Sequence, residues 1–303
     1  MLHFLHSIFF EKEGVLMPYK TVDLHCHSYY SDGTFSPEAL VIEAKKRGLS
    51  ALALTDHDTI DGICLFHEAG KKHHLETITG IEFAAEYTSF QKQEIHIIGL
   101  GFSTSSAAIT ETLTQMAISR QKRNEKMVFA LNRLGFTISY AEIAQNAGGN
   151  IITRAHFANV LVKKGIVKTK QEAFEKYLSQ GKPAYVCREF LTPRFCIETI
   201  KKAGGVAILA HPTLYHMDDT QIEHLAKELK SYGLDGIETD YSTYSQKQKQ
   251  TISKIAKRLE LLPSGGSDFH GSNKTDIHLA IGRGNLQIPY SYWEELKKHC
   301  HII

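Results

Sequence analysis

Seventeen of the 303 residues are histidine, and imidazole is both the commonest metal ligand in proteins and the side chain that titrates nearest neutrality. Their neighbours give the number its meaning. Asp23-Leu24-His25-Cys26-His27 is followed by Asp32 in a Ser-Asp-Gly turn. Further on come Thr55-Asp56-His57-Asp58, Gly80-Ile81-Glu82, His96, Ala210-His211-Pro212 and Ser267-Asp268-Phe269-His270. His25 and His27 stand two apart at the end of an extended run, which sends both rings to one side and Cys26 to the other. Asp268 and His270 repeat that spacing. Six histidines with Asp32, Glu82 and Asp268 make a mixed nitrogen and oxygen donor set of nine, whereas one tetrahedral zinc takes four ligands. Two or three divalent ions sharing a bridging carboxylate fit that number. Imidazole with carboxylate suits zinc, manganese or ferrous iron, and the lack of thiolate pairs argues against structural zinc. Each motif alone has a plainer explanation: neighbouring surface histidines, a capped His-Pro turn, or Asp56 and Asp58 capping a helix that starts near Asp61. Jointly those explanations need six histidines to gather by accident.

The elements that must position these residues are short β-rich runs: Thr21–Leu24, Ala51–Thr55, Thr77–Ile81, Ile95–Gly99, Val206–Ala210, Gly236–Thr239 and Leu262–Gly265. Helical patterns lie between several of them, at Pro37–Arg47, Gly62–His74, Pro193–Ala203, Thr220–Tyr232 and Ser245–Leu259. Such alternation reads as parallel βα units of the α/β class, closed or nearly closed into a barrel. In a barrel of this kind the strand C-termini form the active-site face, and nearly every run here delivers a His or a carboxylate to that end. From Ser103 to Glu189 the alternation stops. Ala107–Leu134, Tyr140–Ala147, Thr153–Lys164 and Gln171–Ser179 read as helices, broken at Gly135, Gly148-Gly149 and Gly165. The chain is therefore expected to divide into an N-terminal extension (1–17), a first barrel part (18–102), a helical insertion (103–190) and a second barrel part (191–303).

Charge follows the same division. The insertion carries 13 basic and 6 acidic residues, a net of +7 in a chain of net +2, which leaves −5 for the remainder. A near-neutral chain is thus an acidic barrel with a basic appendage. Hydrophobic residues make up 42%, which excludes low-complexity disorder. Five cysteines, an odd number without a Cys-x-x-Cys pair, fit a reducing cytoplasm better than a disulfide framework. No apolar run approaches the roughly 18 residues that span a bilayer. Residues 1–16 lack a basic start and a cleavage site, and read as an upstream-start extension or a loose arm.

Asp23-Leu-His25-Cys-His27, Thr55-Asp56-His57, Gly80-Ile-Glu82, Ala210-His211-Pro212 and Gly266-Ser-Asp268-Phe-His270 resemble the motifs of the PHP (polymerase and histidinol phosphatase) family of metal-dependent phosphoesterases. The resemblance implies a distorted (β/α)7 barrel with its metal cluster at the strand C-termini. Within the insertion, Arg120-Gln-Lys-Arg123-Asn124, Arg154-Ala-His156-Phe-Ala158, Gln171-Glu-Ala-Phe174 with Tyr177-Leu178, and Gly181-Lys-Pro183-Ala-Tyr185-Val186 look like the helical insert of one branch. That branch holds 3′,5′-nucleotide bisphosphate phosphatases, some also acting as 5′→3′ exoribonucleases on short RNA. Its pattern usually has Pro where this chain has Ala155, and Asp32 stands where some other branches carry His.

By position, the resemblance implies that His25, His27, Glu82 and Asp268 hold one ion. Glu82 would bridge to a second, held also by His96 and His211, with His156 the competitor for the place of His96. Asp32, His57 and His270 would hold a third. The implied cofactors are two or three divalent cations, Mn2+ before Fe2+, Zn2+ or Mg2+. The implied reaction is in-line attack on phosphorus by a metal-bridging hydroxide, with Asp56 or His211 assisting the leaving group. Arg123, Arg154 and His156 would contact phosphate or nucleotide, since Arg holds phosphate bidentately. The expected partner is a nucleotide or a short 5′-phosphorylated RNA, with no membrane and no obligate protein partner. Two other readings compete. A histidinol-phosphatase-type phosphomonoesterase would act on a substrate with one phosphate and a cationic amine, a poor complement to a +7 insertion. A non-catalytic metal-binding PHP module, as attached to polymerases, often loses ligands, and here every ligand position is filled. The ten remaining histidines read as surface residues.

Overall fold

The computed structural model describes residues 9–12, 15–18, 20–146, 152–187 and 191–301. In chain order the elements are β1 (Phe9–Lys12), β2 (Val15–Pro18), β3 (Val22–Asp23), α1 (Pro37–Lys46), β4 (Ala51–Leu54), α2 (Ile63–His73), β5 (Glu76–Tyr87), β6 (Gln93–Leu100), α3 (Ala107–Arg133), α4 (Tyr140–Ala144), α5 (Arg154–Lys163), α6 (Lys170–Ala173) with a π-turn (Phe174–Leu178), α7 (Pro193–Lys202), β7 (Val206–Leu209), α8 (Asp219–Ser231), β8 (Gly236–Tyr241), α9 (Gln246–Arg258), β9 (Leu262–Gly266) and α10 (Ser291–Lys297). The expected loose arm differs in part: β1 and β2 pair antiparallel, and the rest of residues 1–19 and the Gly148-Gly149 break lie outside the described residues.

Strands β3 to β9 form one seven-stranded sheet in sequence order. The sheet nearly closes into a barrel. At the seam Leu24 N donates to Gly265 O (3.1 Å), Asp268 N to His25 O (2.8 Å) and His27 N to Phe269 O (2.9 Å). Closure is tight enough that a Cβ on Gly266 would stand 2.1 Å from the Cβ of His25. The sheet is mixed rather than wholly parallel, because β6 runs antiparallel to both β5 and β7. Only residues 88–92 join β5 to β6, too few for the crossover that a parallel pair needs.

Period-2 alternation fills the barrel. Ile78, Ile98, Val206, Ile208 and Ala210 pack with Trp293 and Leu296 of α10. Ile81, Phe83, Ala207, Leu209 and Ile237 face the opposite way, toward α7, α8 and α9. The helices begin where the sequence supplies caps: Ser36 accepts from Ala39 N before α1, and Thr192 from Phe195 N before Pro193 of α7. Helices α3 to α6 have a cluster of their own, built from Met127, Leu131, Phe157, Leu161 and Leu178 among others. Among the described residues, no helix is long and apolar enough to cross a membrane.

Candidate metal centre

The alternation that fills the barrel also aims the donors. Ile81 and Phe83 pack outward, so Glu82 points in, four residues after inward-facing Ile78. His96 stands two before inward-facing Ile98, and Glu238 follows outward-facing Ile237. His25 and His27 continue the short β3, and Asp268 and His270 follow β9.

These residues converge on one carboxylate. Glu82 is 1% exposed and is ringed by five imidazoles. Its Oε1 lies 2.8 Å from His96 Nδ1 and 3.0 Å from His211 Nε2. Its Oε2 lies 3.1 Å from His57 Nδ1, 3.2 Å from His27 Nε2 and 3.4 Å from His25 Nε2. Asp268 Oδ1 faces His27 Nε2 (3.2 Å) and His25 Nε2 (3.4 Å), while Asp32 Oδ1 lies 3.2 Å from His270 Nε2. Four groups have candidate ligand atoms mutually within 4.8 Å: His27–Asp32–His57–His270, His25–Glu82–His211, His25–His27–Asp268 and His57–Glu82–His96. All nine residues expected to hold metal fall in these groups. His156 falls in none.

The donor set fits divalent cations. His25 Nε2 and His27 Nε2 sit 3.1 Å apart, a contact between two nitrogens that a shared cation makes favourable. His27 Nδ1 and His211 Nδ1 are buried without a hydrogen-bond partner, and each such group costs about 1–3 kcal/mol unless something satisfies it. The electrostatics agree. Burial works against the charge on Glu82, yet His57, His96 and His25 hold its carboxyl well below the usual range. Burial likewise opposes charge on His27 and His96, but the surrounding carboxylates push them up to about 9 and about 10. His57 goes the other way, to about 4, because burial dominates there and His27 and His96 repel its charge. The cluster is a negative cage that gathers positive charge.

Outer contacts fix the donors, and most of these were missed in the sequence. Glu238 is fully buried, accepts from His25 Nδ1 (2.9 Å) and from His211 N (2.7 Å), and so orients two ligands at once. Tyr241 and Lys274 both donate to Asp268 Oδ2 at 2.6 Å, leaving Oδ1 for the cluster. Glu94 lies 3.2 Å from His96 Nε2. The sequence signal for Glu238 is only a carboxylate next to Ile237 in the sixth run, which a solvent-facing strand position shows equally. Asp56 does not face the cluster: its oxygens accept from Ser28 N (2.7 Å), Ser28 Oγ (2.6 Å) and Ser31 Oγ (2.6 Å). Neither Asp56 nor Asp58 caps α2, whose N-cap is Gly62. Asp58, His211 and Asp268 all have positive φ (55°, 27° and 55°), strain of about 1–3 kcal/mol each that tends to collect at working sites. His67, read as a surface residue, is half-buried instead and bridges Thr77 Oγ1 (2.7 Å) and Thr79 Oγ1 (2.9 Å).

A cavity of about 190 Å³ opens beside the cluster. Asp32, His57 and His96 line it from the barrel; Arg120, Arg123 and Arg154 line it from the helical segment. Arg154 lies over the ring of Tyr185, 5.5 Å from its centroid. His156 sits one turn into α5, where its Nδ1 accepts from Thr153 N (3.0 Å) as part of the helix cap. Ala155 occupies the second position of α5. The first turn of a helix has no intrahelical use for its N–H groups, so Ala serves there as well as Pro.

A family model described as PHP domain matches residues 23–232. The chain belongs to the PHP domain family. This PHP chain is 40% identical over 251 residues to a 5′-3′ exoribonuclease of Haemophilus influenzae, covering 83% of the chain and 90% of that protein. It is 33% identical over 283 residues to a 3′,5′-nucleoside bisphosphate phosphatase of Chromobacterium violaceum, covering 93% and 94%. Among solved structures, an amidohydrolase from Chromobacterium violaceum, with sulfate bound and no metal, matches with a TM-score of 0.78 at 31% identity over 92% of the chain and 96% of its own. A Bifidobacterium adolescentis protein described as a metal-dependent phosphoesterase matches with a TM-score of 0.80 at 28% identity over 94% and 98%.

Proposed function

We propose that this PHP protein hydrolyses the 3′-phosphate of nucleoside 3′,5′-bisphosphates and degrades short 5′-phosphorylated RNA from its 5′ end. The observation that carries this reading is the shared cavity: metal-ligand candidates form one wall, and three arginines from a basic helical segment form the other. His25, His27, Asp32, His57, Glu82, His96, His211, Asp268 and His270 would hold two or three divalent cations, Mn2+ foremost. Bound there, such ions lower the pKa of water from 15.7 toward about 7 and neutralise phosphate oxygens.

The chain's own residues do the rest. Glu82 sets the spacing of the cluster, because every imidazole around it is fixed relative to one carboxylate. Glu238 keeps the Nδ1 proton on His25, so that Nε2 is free to ligate. Arg123 and Arg154 grip the phosphate that does not react, and the positive end of α5 adds to their field. Binding energy gained there holds the other phosphate against the cluster. Asp56 holds Ser28 and Ser31 and so positions the turn that leads into Asp32. His211, with Nε2 on Glu82, acts as a ligand. Residues 103–190 act as the substrate lid. His156 serves the lid by capping α5. Five cysteines, an odd number without a Cys-x-x-Cys pair, fit a reducing compartment, the cytoplasm.

A substrate panel with Mn2+ tests the reading, comparing adenosine 3′,5′-bisphosphate, a 5′-phosphorylated oligoribonucleotide and histidinol phosphate. Turnover of the first two, lost with a chelator and in His25→Ala, is expected. Activity that survives both treatments contradicts it.

A further inference from the structure

Helix α3 spans 27 residues and crosses from one core to another. Ile109, Leu113 and Met116 pack on the barrel's helical layer, and Met127 and Leu131 belong to the cluster under α4 to α6. Between Met116 and Met127 the buried residues of α3 are Arg120, Arg123 and Asn124, whose spacing of three and four puts them on one face. The crossing is polar. Arg120 Nη2 donates to Asp58 Oδ2 at 2.5 Å, with side-chain exposures of 9% and 0%. Asp58 is itself pinned to the barrel: its N donates to Glu82 O (3.0 Å), and its Oδ1 accepts from Ala84 N (3.3 Å). One helical turn on, Asn124 Nδ2 donates to Ile152 O (3.2 Å), just before Thr153 and Arg154. A row of polar contacts thus runs from the backbone of Glu82 through Asp58 to Arg120 and, one turn further along α3, from Asn124 to the start of α5, beside Arg123 and Arg154, which line the cavity with Arg120.

We propose that Asp58 and Arg120 are positioning residues that set the register of the helical segment over the metal cluster, and thereby select substrates carrying a second phosphate. Apolar packing is non-directional and would tolerate sliding of α3. A buried, planar guanidinium paired with a carboxylate is directional, and its gain is geometry more than stability. Because Asp58 directly follows His57, the distance from Arg123 and Arg154 to the cluster is set by covalent neighbours of a ligand. The proposal rests on the function proposed above.

The test uses the metal-loaded enzyme and three variants, Arg120→Gln, Asp58→Asn and Arg123→Gln. Metal content, hydrogen exchange along α3 and α5, and kcat and KM for adenosine 3′,5′-bisphosphate and p-nitrophenyl phosphate are measured. Arg120→Gln should keep its metal, exchange faster in both helices, and raise KM for the bisphosphate about tenfold while kcat changes less. The preference for bisphosphate over p-nitrophenyl phosphate should fall by the same factor. Arg123→Gln should lose that preference without the faster exchange. Unchanged exchange and KM in Arg120→Gln overturn the proposal, as does an equal loss on both substrates together with lost metal. Should Arg120→Gln fail to fold, Asp58→Asn, which keeps shape and a hydrogen bond, must show the same split at smaller amplitude, and its absence is equally fatal. A wild-type enzyme that prefers p-nitrophenyl phosphate would sink the functional reading instead, while the exchange difference would still report the pin.

Discussion

One carboxylate, Glu82, organises the site at the scale of single residues, and the groups around it differ in what their loss should do. Glu238 touches no substrate; it fixes His25 and His211 from behind. Glu238→Gln should therefore lower metal affinity by about 10–100-fold, the usual effect of losing an outer partner, with most activity restored at saturating Mn2+. A metal titration monitored by activity and by bound-metal content checks this. Arg154→Ala should mainly harm substrates with two phosphates, raising KM for adenosine 3′,5′-bisphosphate while single-phosphate turnover falls far less; equal losses would remove the role given to Arg154. Most of the nine donors were legible in the sequence because they close an apolar run with a His, Asp or Glu; Asp32, in a Ser-Asp-Gly turn, and His96, inside a run, were legible by residue type alone. Glu238 was not, since a carboxylate between Ile237 and Thr239 also describes the solvent face of an ordinary strand, and only barrel closure buries it. Arg120 and Arg123 look alike as helix residues; the fold pairs Arg120 with Asp58.

Elements decide whether those side chains meet. Strands β3 and β9 join through backbone bonds on either side of Gly266, and His25 occupies the space a side chain there would need. Gly266→Ala should thus open the seam and cost about 1–3 kcal/mol or more, as overpacking does, with loss of metal binding at a temperature where the chain is still folded. Urea unfolding together with metal content measures both. Helix positions were legible from Ser36-Pro37 and Thr192-Pro193, which place α1 and α7 within about two residues, the usual disagreement at helix ends. The length of β5 was not legible. Glu82 and Glu86 interrupt its apolar pattern, so the sequence suggested only Thr77–Ile81, whereas the strand runs from Glu76 to Tyr87. The same strand exposes why one parallel neighbour was wrongly expected, because a hairpin to β6 follows directly.

Over the whole molecule, the charge asymmetry and the metal cage belong together. An acidic barrel concentrates cations, and a basic segment above it concentrates phosphate. Because the cage holds buried polar atoms without partners, metal should stabilise the fold: each site contributes about 2.7 kcal/mol at a hundred times its Kd, so Tm should climb with Mn2+ concentration and fall on chelation. A Tm indifferent to metal would contradict the cage. Sequence made the asymmetry visible as a count, but not that three arginines of the basic part share a cavity with the cluster. The most direct measurement is competition in one vessel: adenosine 3′,5′-bisphosphate and histidinol phosphate at equal concentration with the Mn2+-loaded enzyme. Two phosphates matched to a metal wall and an arginine wall predict that the bisphosphate is consumed first, to the 5′-monophosphate; faster release of phosphate from histidinol phosphate would contradict that assignment.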